Sequence, residues 1–103
     1  MDYKAVYAEA TRHEWAELLD LIPQHMVDGM VRYLVKGVPP GSFLRALLSN
    51  DFMGAMSRAD DINQQALPRY ARFLMNGAPI GAFGSEENVS DWISSGGLAG
   101  LSE

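Results

Sequence analysis

Apolar positions recur along the chain at helical spacing, and no stretch alternates convincingly as a strand would. A first helical segment opens at Asp2 or its neighbours and runs through about Ala10. "TRHE", Thr11 to Glu14, then reads as a capping box: Thr11 accepts from the backbone at Glu14 and Glu14 reaches back. The first helix either restarts there or runs through. Trp15, Leu18, Leu19 and Ile22 follow at i, i+3, i+4 and i+7, which predicts another helical face. Pro23 closes that segment and suits the first turn of the next, where its missing N–H costs nothing.

The next segment, "PQHMVDGMVRYLVK", carries a broad apolar stripe of Met26, Val27, Met30, Val31, Tyr33, Leu34 and Val35. Such breadth predicts a central, largely buried helix. Gly37 stops it in the left-handed position, and Pro39 and Pro40 forbid continuation. Ser42 is a candidate N-cap for a helix whose inner face is Phe43, Leu44, Leu47 and Leu48. "SND" at 49–51 favours a break, with Asp51 capping "FMGAMSRA", the alternative being an unbroken helix to Ala59. Asp60 and Asp61 open "INQQALPRYARFLMN", which either starts nearer Leu67 or kinks at Pro68. Gly77 is expected to end it as Gly37 ends its counterpart. Ser85 caps a last helix, "SEENVSDWI", with Glu86 and Glu87 at its positive end and Val89, Trp92 and Ile93 facing inward. The expected fold is all-α: a compact bundle of about five to six short helices, with no sheet. Residues 1–95 form one domain and 96–103 a frayed tail.

One sentence of this sequence is said twice. "RYLVKGVPPGSF" (Arg32 to Phe43) returns 40 residues later as "RFLMNGAPIGAF" (Arg72 to Phe83). The shared pattern encodes a helix end, a glycine stop, a proline-stiffened exit, a sharp turn and a phenylalanine that plugs the next segment into the core. Two copies are too few for a solenoid, so the pattern is an internal helix–turn–helix pseudo-repeat. The plain explanation is chance likeness between two glycine-terminated helices. The functional one sets the two loops side by side as a binding surface, with Pro40 and Ile80 as the loop positions that differ.

Charge changes the picture modestly. The chain carries a net −5 with an uneven distribution: residues 1–28 hold two bases against six acids, 29–72 six against three, and 73–103 four acids and no base. A net acid of this size disfavours nonspecific nucleic-acid binding. The chain has no cysteine, which excludes disulfides and thiolate metal sites and fits a cytoplasmic protein. No apolar run approaches the roughly 18 residues of a membrane helix, and the N-terminus does not read as a signal peptide.

Candidate chemistry is sparse. His13 can share a helix face with Glu9 and Glu17, but "HEWAE" is not H-E-x-x-H, and a solvated histidine between two acids is the simpler reading. His25 reads as a partly exposed surface residue. No serine lies in G-x-S-x-G, no phosphate loop is present, and acid pairs such as Asp60–Asp61 are explained as helix caps. No catalytic residue, cofactor or metal is therefore assigned. The most partner-like stretch is "DFMGAMSR", in which Phe52, Met53 and Met56 crowd one segment. Arg45 and Arg58, with Arg69 and Arg72, are positioned to rim such a patch. The plainer reading places Phe52 and Met56 in the core.

"GVPPGSFLRALLSND", "ADDIN" and "RFLMNGAPIGAFGSEENVSDWI" together resemble short proteins encoded by bacteriophages and prophages of proteobacteria, over residues 24–93. No activity is established for that group, so the resemblance implies context: an infected bacterial cytoplasm, where small phage proteins often inhibit host proteins, anti-CRISPR and other anti-defence proteins included. Three readings follow. The first is a non-enzymatic protein-binding module that modulates a host protein. The second is a sponge or sensor in which the loops and Arg32 and Arg72 hold a small anion. The third is a helix-turn-helix DNA-binding protein using the basic middle, which lacks a dense Lys/Arg recognition helix. A homodimer is compatible with the pseudo-repeat.

Overall fold

Helix α1, Tyr3–Ala10, begins where the Asp2 side chain accepts from the Ala5 N–H at 3.2 Å. The structure, a computed structural model, describes residues 2–11 and 15–101. All regular structure among them is helical: α2 Gln24–Lys36, α3 Ser42–Leu48, α4 Phe52–Arg58, α5 Asp61–Gln65, α6 Leu67–Gly77, α7 Glu86–Ser95 and α8 Gly97–Leu101, with 3-10 segments at Ala16–Leu21 and Ile80–Ala82. The all-α expectation holds, but the helices outnumber the five to six expected and several span a turn or two. Polar caps and prolines cut the chain more often than the apolar stripes suggest.

The punctuation explains the cuts. Asp51 accepts from the Gly54 N–H at 2.9 Å and starts α4, after Asn50 has turned the chain through a left-handed φ of 64°. Asn tolerates that region better than most residues. Asp60 caps α5 through the Asn63 N–H at 2.7 Å. Pro68 sits in the first turn of α6, where no bond is lost, so the chain breaks at Ala66 rather than kinking. Ser85 caps α7 through the Asn88 N–H at 3.0 Å.

Several local expectations need correction. Trp15, Leu18, Leu19 and Ile22 flank or occupy a 3-10 segment instead of an α-helix. Thr11 is the C-cap of α1, its hydroxyl donating to the Tyr7 carbonyl at 2.8 Å, and Glu14 lies outside the described residues. Gly41, not Ser42, is the N-cap of α3. Of the 96–103 tail expected to fray, residues 97–101 form α8, which packs against α2, the Gly97 and Gly37 backbones approaching too closely to admit a Cβ at Gly97, and 102–103 lie outside the described residues.

Helix α2 is the central one. Met30, Tyr33 and Leu34 are fully buried, with α1 and α8 packed on α2. Around it, aromatic side chains tie distant parts of the chain. The Tyr33 hydroxyl donates to the Ala82 carbonyl at 2.6 Å, and the Trp92 indole N–H donates to the Tyr33 carbonyl at 3.1 Å. The Tyr70 hydroxyl donates to the buried Asn63 side chain at 2.7 Å, and its ring meets Phe43 edge-on at 5.5 Å. These bonds satisfy polar atoms that burial would otherwise strand.

The pseudo-repeat is sequence-deep and not structure-deep. Gly37 takes the left-handed stop, φ 70°, with the Gly37 N–H bonded to the Tyr33 carbonyl and the Val38 N–H to Arg32. Gly77 does not; it is the last residue of α6, and Ala78 leads out in extended backbone. Gly77 is a glycine because Leu18 lies against it, so that a Cβ would stand 2.7 Å from Leu18 Cδ1. Phe43 is buried in α3, as a plug should be, whereas Phe83 is half-buried and the small Ala82 beside it is buried instead. A seven-residue helix follows the first exit and a single 3-10 turn the second.

Candidate functional site

Asn50 and Asp51 turn α4 back onto α3, and the Gly84 N–H donates to the Leu48 carbonyl at 2.8 Å, which pins the 83–84 turn to the same corner. Helix α6 supplies the facing wall. Between them lies an apolar groove of about 550 Å³. Its lining includes buried Ala55 and Leu74, the sides Leu47, Leu67, Ala71 and Phe83, and at the surface Phe52 and Met75, 63% and 77% exposed. Asn50 is its one polar side chain apart from backbone. The volume falls within the range of small-ligand and peptide-side-chain pockets.

The structure separates the candidate residues. Phe52 belongs to the groove. Met53 is 73% exposed and Met56 38%, both on α4 but outside the groove's lining. The core assignment for Phe52 and Met56 is therefore wrong: α4 is seven residues long and buries only Ala55, leaving its other apolar side chains to solvent. Arg45 and Arg58 do not rim the groove. They line a separate polar pocket with Ser42, Ser49, Asp51 and Glu86. There Arg45 pairs with Glu86, which also accepts from the Ser49 hydroxyl at 2.8 Å. The two donors, Arg45 first, hold the Glu86 carboxyl below the usual carboxylate range. Arg58 donates to the Gly54 carbonyl at 3.0 Å. Pro40 is half-buried, Ile80 is 87% exposed, and neither lines the groove.

Among the groove residues, Ala71 and Met75 have no role in the sequence pattern and Phe83 only that of a core plug. A signal was present: on α6, Leu67, Tyr70, Ala71, Phe73, Leu74 and Met75 sweep an arc wider than the roughly 100° a core-facing stripe needs. The surplus edge, Ala71 and Met75, is what remains outside.

Charges of both signs lie near the groove: Asp51 follows the lining Asn50, and the helices themselves carry bases. Helices α3, α4 and α6 carry Arg45, Arg58, Arg69 and Arg72 and no aspartate or glutamate. Arg69 and Arg72 are exposed, and no ion pair joins either to a carboxylate among the described residues. Arg72 lies one helical turn from both Pro68 and Met75 of the groove wall. Arg32 is differently placed, held by Asp28 at 2.8 Å, and the cavity it lines with Tyr3 and Lys36 does not include Arg72.

His25 faces Asp60 at 3.1 Å, joining the start of α2 to the cap of α5. The Asn63 N–H and then His25 keep the Asp60 carboxyl low. His13 lies outside the described residues. Among the described residues no group of three or more His, Cys, Asp or Glu could hold a metal ion, and no helix is long and apolar enough to cross a membrane.

No protein-family model matches the chain, and no curated protein or solved structure matches it.

Proposed function

We propose that this chain is a non-enzymatic protein-binding module, a phage-type inhibitor or modulator of a host bacterial protein acting in the host cytoplasm, with anti-defence proteins among the roles that fit. The observation that carries the reading is the apolar groove beside α4, with Phe52 and Met75 standing at its mouth. Exposed apolar side chains gathered around a concave apolar surface mark binding sites more often than chance exposure does. Methionines suit such a surface because the thioether repacks around varied partners. The anionic-sponge reading loses support because Asp28 occupies Arg32. The DNA reading loses it because Arg45 is committed to Glu86 and α3 and α4 carry no lysine.

The test is a comparison of two captures from bacterial lysate. The intact chain should retain a stoichiometric protein that Phe52→Asp/Met75→Asp, with an unchanged melting temperature, does not retain. A chain that captures nothing stoichiometric, or captures the same proteins with and without the double substitution, sinks the reading.

A further inference from the structure

We infer that a cavity between α1 and α2, apart from the α4–α6 groove, takes a small amphipathic carboxylate: an alkyl chain of medium length with one anionic head. The cavity measures about 370 Å³, at the small-ligand end of the usual range of pockets. Four valines supply its apolar surface. Val31 and Val35 of α2 are buried, Val6 of α1 is half-buried, and Val38 is exposed on the turn after α2. The Val38 N–H donates to the Arg32 carbonyl at 3.3 Å, which folds that turn back over the end of the helix.

The charges that line this cavity have one sign. Arg32 and Lys36 belong to its lining, and no carboxylate does. They stand four apart on α2, so they are neighbours on one face of the helix. Asp28, which holds Arg32 at Nε at 2.8 Å, lines the adjacent polar cavity and not this one. Lys36 closes α2 and is exposed, and no ion pair joins it to a carboxylate among the described residues. Its ammonium is the open charge at the rim. A second cavity, about 290 Å³, shares Val6 and Val35 with the first and continues along Ala10, Leu98 and Ala99 to Glu9. The joined track is apolar through its middle, with two cations at one end and a single acid at the other. A carboxylate with an alkyl tail fits it in one direction. The head accepts charge-assisted hydrogen bonds at Lys36 and Arg32, and the tail covers Val6 and Val35 on the way to Leu98, leaving water as it does so.

The test titrates the full chain with sodium octanoate, kept below its micelle concentration, and follows the heat of binding by calorimetry. One octanoate per chain should bind. Butanoate should bind at least tenfold more weakly, because its shorter tail covers less of the valine surface. Octylammonium, whose head has only Glu9 to meet, should also bind more weakly than octanoate. Lys36→Gln changes an exposed side chain and should weaken octanoate roughly three- to tenfold with the melting temperature unchanged. Lys36→Glu should weaken it further, and Phe52→Asp/Met75→Asp should leave it as it is. The inference is overturned by an absence of octanoate binding, by equal binding of octanoate and octylammonium, or by an affinity that neither Lys36 substitution moves. Loss of octanoate binding in Phe52→Asp/Met75→Asp would assign the ligand to the α4–α6 groove and overturn it too. So would binding to vesicles of anionic phospholipid by a chain that ignores monomeric octanoate, which would make the cations a membrane contact. Capture from lysate reads a different surface, so the protein-binding proposal and this one are decided separately.

Discussion

The Tyr7 hydroxyl donates to the Gly77 carbonyl across 70 residues of chain, inside the core. Helix α1 and the end of α6 are joined there, and the Tyr7 ring tilts against Phe73 at 6.2 Å. Tyr7→Phe keeps the ring and strands the carbonyl. It should cost about 1–3 kcal/mol, measured by urea unfolding. A cost below about 0.5 kcal/mol would mean that water takes over the bond.

Gly37 and Gly77 occupy matching places in the repeat and should fail for different reasons. Gly77→Ala drives a Cβ into Leu18 and is expected to cost about 1–3 kcal/mol. Leu18→Ala makes room for that Cβ, so the double variant should lose less than the two single losses added together. At Gly37 the strain is in the backbone, φ 70°, and Leu18→Ala should rescue nothing. Simple additivity of Gly77→Ala with Leu18→Ala would refute the close-approach account.

Breaking the cap of α4 should loosen the groove. Asp51→Ala removes the acceptor for the Gly54 N–H and should cost about 1 kcal/mol, lowering the melting temperature by about 4–8 °C. Asp51→Asn, a comparable cap, should stay near the parent. Identical losses in both variants would point to a charge effect instead of a cap.

Stability should fall at alkaline pH. Burial raises the hydroxyls of Tyr7, Tyr33 and Tyr70 above the ordinary value of 10.0, Tyr33 to about 12. In the unfolded chain these groups release their protons near pH 10, while in the folded one they hold them. The folded state therefore binds more protons above pH 10, and stability drops as pH climbs through that range. Below pH 10 both states keep the proton and the contribution is fully present. Thermal melts across this range should show the fall, and Tyr33→Phe should flatten part of it. A melting temperature level from pH 9 to about 12 would contradict the burial of these hydroxyls.

The mouth of the groove should tolerate charge where the core cannot. Phe52→Asp/Met75→Asp removes side chains that are mostly exposed and should change stability by less than about 0.5 kcal/mol. Phe73→Ala, a fully buried ring on the same α6, should cost about 3–5 kcal/mol. If the surface pair costs as much as Phe73, the groove is part of the fold and not a free surface.

Local chemistry was legible residue by residue. Asp2, Asp51, Asp60 and Ser85 cap helices because each needs only a backbone N–H two or three positions ahead, a contact that sequence spacing determines. The same holds for the left-handed stop at Gly37 and for the breadth of the α2 stripe, which is buried along its length. The candidate site was half legible: Phe52 was singled out for its Met-rich neighbourhood, while Met75 and Phe83 belong to segments more than twenty residues away and meet it only across the groove.

What the tertiary structure decided is which of two possible environments each apolar side chain occupies. Composition made Phe52 and Met56 eligible for the core; seven-residue α4 buries only Ala55, and Phe52, Met53 and Met56 stay exposed. Likeness of letters made Gly77 a second Gly37, but one glycine answers to a backbone angle, a local property, and the other to Leu18, fifty-nine residues earlier. Short-range hydrogen bonds write themselves into adjacent residues. Packing does not, because the space beside a side chain is set by whatever part of the chain arrives there.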